Sequence, residues 1–266
     1  MASDVTGVEA APTAPEKRPP APARRRPYRM RFVLLYATLA GVLGAAIAGV
    51  VLLVGTGSGS TSGGPWSTWE PSGGQTSRTN QIAQHISATY RLANGHQLVD
   101  VVGKPPTVQD VPIRAVAIQG SGGSGDKVAL IDDKNSLMFV LCGRGTSCAI
   151  AEGAPTIERG RLVRREGLEL ALYTFKYIGS VDHVVEFMPP RKGAQPTYVL
   201  YWSRTDLKNE LKQPLHDTLT LKTPKAMGIT PRETATIDRL TEPHMFKFTL
   251  QQAQQGDAIL VLAPAL

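Results

Sequence analysis

Cys142 and Cys148 are the only cysteines in the chain, in the stretch LCGRGTSC. Thiol-exchange sites use a compact Cys-x-x-Cys at a helix start, where the helix N-terminus lowers a thiol pKa. The wider spacing here, with Leu141 before it and Ala149-Ile150 after it, predicts a disulfide staple between two strands in an oxidising compartment. Closing so short a loop constrains the unfolded chain by about 2–3 kcal/mol. Arg144, inside the loop, is displayed outward as a candidate contact with a partner or anion.

A second group of reactive side chains is Arg159, Arg161, Arg164 and Arg165, all in the first half of a helix predicted over Ile157–Ile178. Cations near a helix N-terminus oppose the macrodipole, so the cluster needs a reason. One reading is a contact with an anion such as a phosphate head group or wall polymer. The other is pairing with Glu158, Glu166, Glu169 or acids from elsewhere. Arg165 and Glu169 have i, i+4 spacing, in the less favourable order.

The five histidines, at 85, 96, 183, 216 and 244, show no metal-ligand spacing, and no metal or cofactor is expected. His85 lies beside an apolar helix stripe and reads as a helix-edge residue. Asp182-His183 and His216-Asp217 are acid–histidine neighbours, but adjacent strand residues point to opposite faces. There is no Gly-x-Ser-x-Gly elbow and no cysteine with an obvious base. An enzyme would therefore have to gather at least two of His96, Asp182, His183, His216 and Asp217 in one cleft. A binding module would instead show an apolar or arginine-lined groove without converging ionisable groups.

The loop GSGGSGDK (120–127) approaches a phosphate-binding P-loop, since Gly120 and Gly125 have its spacing. Asp126 stands where that motif needs Lys, and Lys127 where it needs Ser or Thr. No helix is predicted after it to hold a phosphate. It reads as a hairpin loop.

These residues must be positioned by an exported domain. The spacing of Ile82, Ile86 and Tyr90 predicts a helix over Thr79–Ala93, stopped by Asn94-Gly95. Strand-like runs follow at Gln97–Val102, Ile113–Ile118, Val128–Ile131 and Leu137–Cys142, separated by turn formers and read as an antiparallel meander. The strongest helix, Ile157–Ile178, has Thr156 as N-cap and an apolar face of Leu168, Ala171, Leu172, Phe175 and Ile178. Two paired strands are predicted at Asp182–Met188 and Thr197–Ser203, with Val181, Val185 and Phe187 alternating against Asp182 and Glu186. A short helix over Asp206–Lys212 and a closing hairpin of His244–Gln251 with Ala258–Leu262 complete the reading.

The run FVLLYATLAGVLGAAIAGVVLLV (32–54) contains no charged residue. A helix of that length rises roughly 35 Å at about 1.5 Å per residue, enough to span a hydrocarbon core of about 30 Å. Lys17, Arg18, Arg24, Arg25, Arg26, Arg29 and Arg31 precede it, and the first basic residue after it is Arg78. Positive charge resists translocation, so the N-terminus is expected in the cytoplasm and the C-terminal bulk outside. Ala37, Gly41, Ala45 and Gly49 recur every four residues and form a smooth helix face suited to close helix–helix packing, as a homodimer or with a partner helix.

The net charge of +7 is unevenly placed. Residues 1–31 hold 7 basic and 3 acidic groups, leaving 22 basic and 19 acidic for the rest. The tail's excess fits anionic lipid, and nucleic acid is not an expected partner. Residues 1–31 are a Pro/Arg-rich tail too poor in large apolar residues to fold alone. GTGSGSTSGG (55–64) is a flexible linker leading into Trp66 and Trp69, which are predicted to dock on the domain.

Leu141-Cys142-Gly143 to Cys148, the run Arg164–Tyr177 (RREGLELALYTFKY), and Trp66-Ser67-Thr68-Trp69-Glu70-Pro71 resemble uncharacterised single-span proteins of high-GC actinobacteria. The resemblance touches about a quarter of the chain. It implies a cell-envelope setting and no known reaction, and it carries over no functional residue.

The expectation is a single transmembrane helix plus an exported α+β domain with a largely antiparallel sheet. The divisions are tail 1–31, plasma-membrane helix 32–54, linker 55–75 and extracytoplasmic domain 76–266. The expected role is a membrane-anchored binding or scaffold module of the cell envelope, with the lipid bilayer and another membrane or envelope protein as partners. The alternative is an envelope hydrolase or transferase.

Overall fold

The computed structural model describes residues 65–108, 111–120, 128–132, 134–252 and 257–265, all within one compact unit spanning Ser62–Leu266. The tail, the apolar run with its Ala37/Gly41/Ala45/Gly49 face, the Gly/Ser linker and most of the 120–127 loop lie outside the described residues. Among the described residues no helix is long and apolar enough to cross a membrane.

The domain is α+β, built on one nine-stranded, mostly antiparallel sheet. Its strands are β1 (Asp100–Lys104), β2 (Thr107–Val108), β3 (Val111–Gln119), β4 (Val128–Asp132), β5 (Ser136–Cys142), β6 (His183–Phe187), β7 (Tyr198–Ser203), β8 (Met245–Gln252) and β9 (Ala258–Pro264). Its helices are α1 (Gln75–Ser87), α2 (Ile157–Tyr177), the single turn α3 (Leu215–Thr218) and α4 (Pro231–Thr241). The sheet order is β1-β5-β6-β7-β8-β9-β3-β2, with β4 paired to β3.

The meander expected for the first four strands is not formed. β3 and β4 make the expected hairpin, but β1 crosses to pair with β5, and β3 runs parallel to β9. Strands β5 and β6 are also parallel. A parallel pair needs a crossover, and α2 is that crossover, lying on the sheet against β6 and β7.

The first and last strands of the sheet order are joined by only Pro105 and Pro106. Two residues bridge at most about 11 Å, at 3.8 Å per Cα step. A flat sheet of eight strands would hold its edges roughly 33 Å apart. The sheet must therefore curl until its ends nearly meet, and the Ile113 amide donating to the Pro106 carbonyl (2.9 Å) fixes the junction.

Curling gives the two sheet faces different cores. The inner face gathers Ile113, Val116, Met138, Val185, Phe187, Val199, Tyr201, Leu260 and Leu262 into one cluster. The outer face presents Leu137, Phe139, Leu141, Val184, Leu200 and Trp202 to the helices. Strands buried on both faces lose the apolar/polar alternation of a half-solvated strand. Glu186, expected to alternate outward against Val185 and Phe187, is thus fully buried beneath α2.

Helix α2 forms nearly where its pattern predicts, and the Thr156 hydroxyl caps it by accepting from the Arg159 amide (3.2 Å). Helix α1 begins four residues before the predicted start and ends at Ser87. Thr89 turns its hydroxyl back onto the Ile86 carbonyl (2.9 Å), a local bond that competes with helix continuation. Tyr90 is still fully buried but is reached from the turn. The segment expected as a helix over Asp206–Lys212 is a series of turns. Helix α4 was not anticipated, although Thr230-Pro231-Arg232-Glu233 carries a capping threonine, a proline at the first helical position and a glutamate at the third.

The tryptophan segment docks on the domain. Trp66 is buried, edge-on to Tyr173 (5.3 Å) and Tyr177 (5.8 Å). Its carbonyl accepts from the Leu215 amide (2.8 Å). Trp69 stacks on His85 at 3.9 Å.

Candidate functional site

Cys142 and Cys148 form a disulfide, with sulfurs 2.07 Å apart. Cys148 does not open the next strand, as expected, but ends a single 3-10 turn, Thr146–Cys148. Ser147 and Cys148 take left-handed backbone (φ 55° and 63°), uncommon without glycine. The Gly143 amide on the Cys148 carbonyl and the Gly145 amide on the Ala149 carbonyl, both 2.8 Å, hold this turn. Arg144 is exposed and lies 3.8 Å from Asp100.

The four arginines of α2 do not form one surface. Arg161 clamps Asp238 of α4 with two nitrogens (3.0 and 2.9 Å). Arg164 meets the same carboxylate at 2.6 Å and donates to the Thr241 hydroxyl. Burial alone would raise the Asp238 pKa, but the two guanidiniums hold it below the usual carboxylate value. Arg165 is 1% exposed and bonds Glu233 (2.8 Å), Glu169 (3.0 Å), Tyr90 and the Thr220 carbonyl. Helix α4 and the Thr220 loop, both far away in sequence, supply most of these partners. An incoming anion would have to displace them. Arg159 alone of the four keeps no carboxylate partner among the described residues. It donates to the Glu152 carbonyl (2.9 Å).

Among the described residues, no two of His96, Asp182, His183, His216 and Asp217 are joined by a hydrogen bond. His96 pairs with Glu152 (2.8 Å) on the surface. Asp182 accepts from Asn135 (2.9 Å). His183 bonds the Tyr201 hydroxyl (2.8 Å), and burial lowers its pKa against the pull of Asp182 and Asp206. His216 and Asp217 sit exposed on α3, 3.6 Å apart, outside hydrogen-bond range. Among the described residues no group of three or more His, Cys, Asp or Glu side chains can hold a metal.

What the structure does bring together is a groove of about 370 Å³. Three segments build it: the turn after α1, the loop leading into α2, and the turn at Lys225–Met227. The Arg91–Gln97 bridge and the Leu92 amide on the His96 carbonyl (2.7 Å) shape the first wall. Leu92, Leu98, Leu162 and Met227 make an apolar floor and lip, and Met227 is 83% exposed. Arg91, Arg159 and Lys225 also line the groove, and none has a carboxylate partner among the described residues. Burial lowers the Arg159 pKa from the usual arginine value. The one lining carboxylate, Glu152, is occupied by His96 and Asn94. The N-cap Thr156 is in the wall, so the positive end of the α2 dipole adds to the same sign of charge.

Of the sequence-selected arginines, only Arg159 belongs to this site. Arg91 and Lys225 sit in turns, and no periodic pattern marked them. A smaller apolar cleft of about 200 Å³ opens at one end of the curled sheet beside Cys148, lined by Lys104, Met138, Phe187 and Phe248. Comparison with protein families, curated proteins and solved structures gives no match to this chain.

Proposed function

We propose that the chain is a membrane-tethered binding module of the cell envelope. Its groove takes a short peptide segment of an envelope protein that places an acidic group beside one or two apolar side chains. The observation that carries this reading is the charge of the groove: Arg91, Arg159 and Lys225 around an apolar floor, against a single lining carboxylate, Glu152, that is hydrogen-bonded to His96 and Asn94. A volume of about 370 Å³ lies in the range of small-ligand sites. That suits one or two side chains and a carboxylate.

The tether is Phe32–Val54, with the N-terminus in the cytoplasm and the domain outside. Its length and the one-sided flanking charge support this. The closeness of Cys142 and Cys148 is consistent with it, because disulfides persist in oxidising compartments.

The reading is tested on the full chain in nanodiscs, with the Met227 methyl group followed by NMR. Short peptides pairing Leu or Phe with an acidic residue are expected to shift this signal, and their amide analogues to bind about tenfold more weakly. Arg159→Glu with Lys225→Glu should remove the response. A groove that ignores all such peptides, or wild-type and variant chains that bind equally to anionic vesicles and to peptide, would overturn it.

A further inference from the structure

Beneath α2 lie two carboxyl groups with no work assigned to them. Glu166 of α2 and Glu186 of β6 are both fully buried, at 0% exposure. All four of their oxygens lack a protein hydrogen-bond partner. Gly167 makes room for them: a Cβ there would collide with Oε2 of Glu186.

The surroundings offer no charge to compensate two carboxylates. On the sheet, Glu186 is flanked by Phe139 of β5 and Leu200 of β7. On α2, the neighbouring charges are Arg165 and Glu169. The turn after α1 contributes Tyr90, and α4 contributes Glu233. Arg165 is the single cation of this group, and it already faces both Glu169 and Glu233. A buried carboxylate without a counter-charge or donor is expelled or neutralised, because desolvating the ion costs several kcal/mol.

We propose that Glu166 and Glu186 form a proton-operated latch, in which neutral carboxyls seat α2 on the sheet and their ionisation at rising pH loosens it. The inference stands apart from the groove and does not depend on what binds there. Burial pushes both groups well above the usual glutamate value. The charges of Glu169 on Glu166, and of Glu166 on Glu186, push the same way, and the Arg165 guanidinium offsets only part of this at Glu166.

The direction of the pH effect follows from linkage. In the unfolded chain both groups ionise near the ordinary value of about 4.3. In the fold they keep their protons to higher pH. The stability they contribute is fully present below the unfolded value and is lost as pH rises through the folded one. The domain is therefore strengthened by mild acid at this interface. Its half-buried histidines act oppositely: partial burial lowers the pKa of His85, His183 and His244, so acid weakens the fold through them. The latch is read as the difference between wild type and a variant without it.

The experiment follows thermal unfolding of the full chain in nanodiscs from pH 5 to pH 9, for wild type, Glu186→Gln and Glu166→Gln/Glu186→Gln. Relative to the double variant, wild type should lose about 3–5 °C in Tm for each pH unit through which the pair holds one extra proton. At pH 8 the double variant should melt higher than wild type. Parallel pH profiles for the two chains would overturn the proposal. Should the variants fail to fold, carboxyl-¹³C NMR of wild type decides it. Two glutamate resonances still protonated at pH 7 support the latch, and glutamates that all titrate in the ordinary range sink it.

Discussion

The Glu186 carboxyl occupies the space that a side chain at Gly167 of α2 would need. A glycine inside a helix normally costs about 1 kcal/mol relative to alanine. Here it permits a close approach that no side chain would allow. Gly167→Ala is therefore expected to destabilise the domain by up to about 2 kcal/mol, the overpacking cost of about 1–3 kcal/mol less the gain of about 1 kcal/mol in helix propensity. Combining it with Glu186→Ala, which clears the space, should cost less than the sum of the single changes in a urea-unfolding cycle. Strict additivity would place the carboxyl elsewhere.

Arg165→Met should be among the most damaging single substitutions. It leaves the buried Glu233 and the part-buried Glu169 without their cation, and breaking one side of a buried pair costs about 3–5 kcal/mol. Arg165→Lys should rescue little, since an ammonium cannot reproduce the fork that reaches Glu233, Glu169 and the Thr220 carbonyl at once. The measure is the denaturation midpoint. A loss below about 1 kcal/mol would mean that the network relaxes around the gap.

Replacing Cys142 and Cys148 by serine should cost about 2–3 kcal/mol through the freed loop. It should also open Arg144 to trypsin, because the left-handed Ser147-Cys148 turn loses its covalent closure. The site is already exposed, so the readout is a rate of cleavage after Arg144, several times faster in the serine variant. An unchanged rate would assign the turn to its two backbone bonds alone.

Trp66→Ala should cost about 3–5 kcal/mol, the range for deleting a buried aromatic side chain. It should also detach the segment ahead of α1. Limited proteolysis of the full chain would then cut between residues 60 and 75 before the domain unfolds. Trp69→Ala should do less, since Trp69 is only half-buried and stacks on a histidine at the surface. Equal effects would show that the segment is held as a unit rather than by its buried anchor.

Much of the fold was legible wherever its cause is local. The α2 helix is announced by its own periodicity and by the Thr156 cap, and the closing hairpin β8–β9 by its turn. The disulfide follows from two cysteines in one short loop. Helix α4 was equally legible in Thr230-Pro231-Arg232-Glu233, and only its modest apolar stripe, Ile237 and Leu240, hid it. The meander failed for a different reason. Nothing in β1 or β3 encodes which strand each will pair with, and the curl that separates them depends on all the strands together.

The sequence by itself determined the local devices: caps, turns, apolar stripes, the cysteine loop and the uncharged run of 32–54. Each is decided by interactions within a few residues. Only the tertiary structure decided what the charges are for. Arg165 meets Glu233 across 68 positions. Asp238 of α4 takes Arg161 and Arg164, whereas Arg159 meets only a backbone carbonyl, that of Glu152, among the described residues. Glu186 looks like a solvent-facing member of an alternating strand until the sheet curls and α2 covers its outer face. Charge pairing and desolvation depend on distance in space, and the fold sets that distance for residues that the chain keeps far apart.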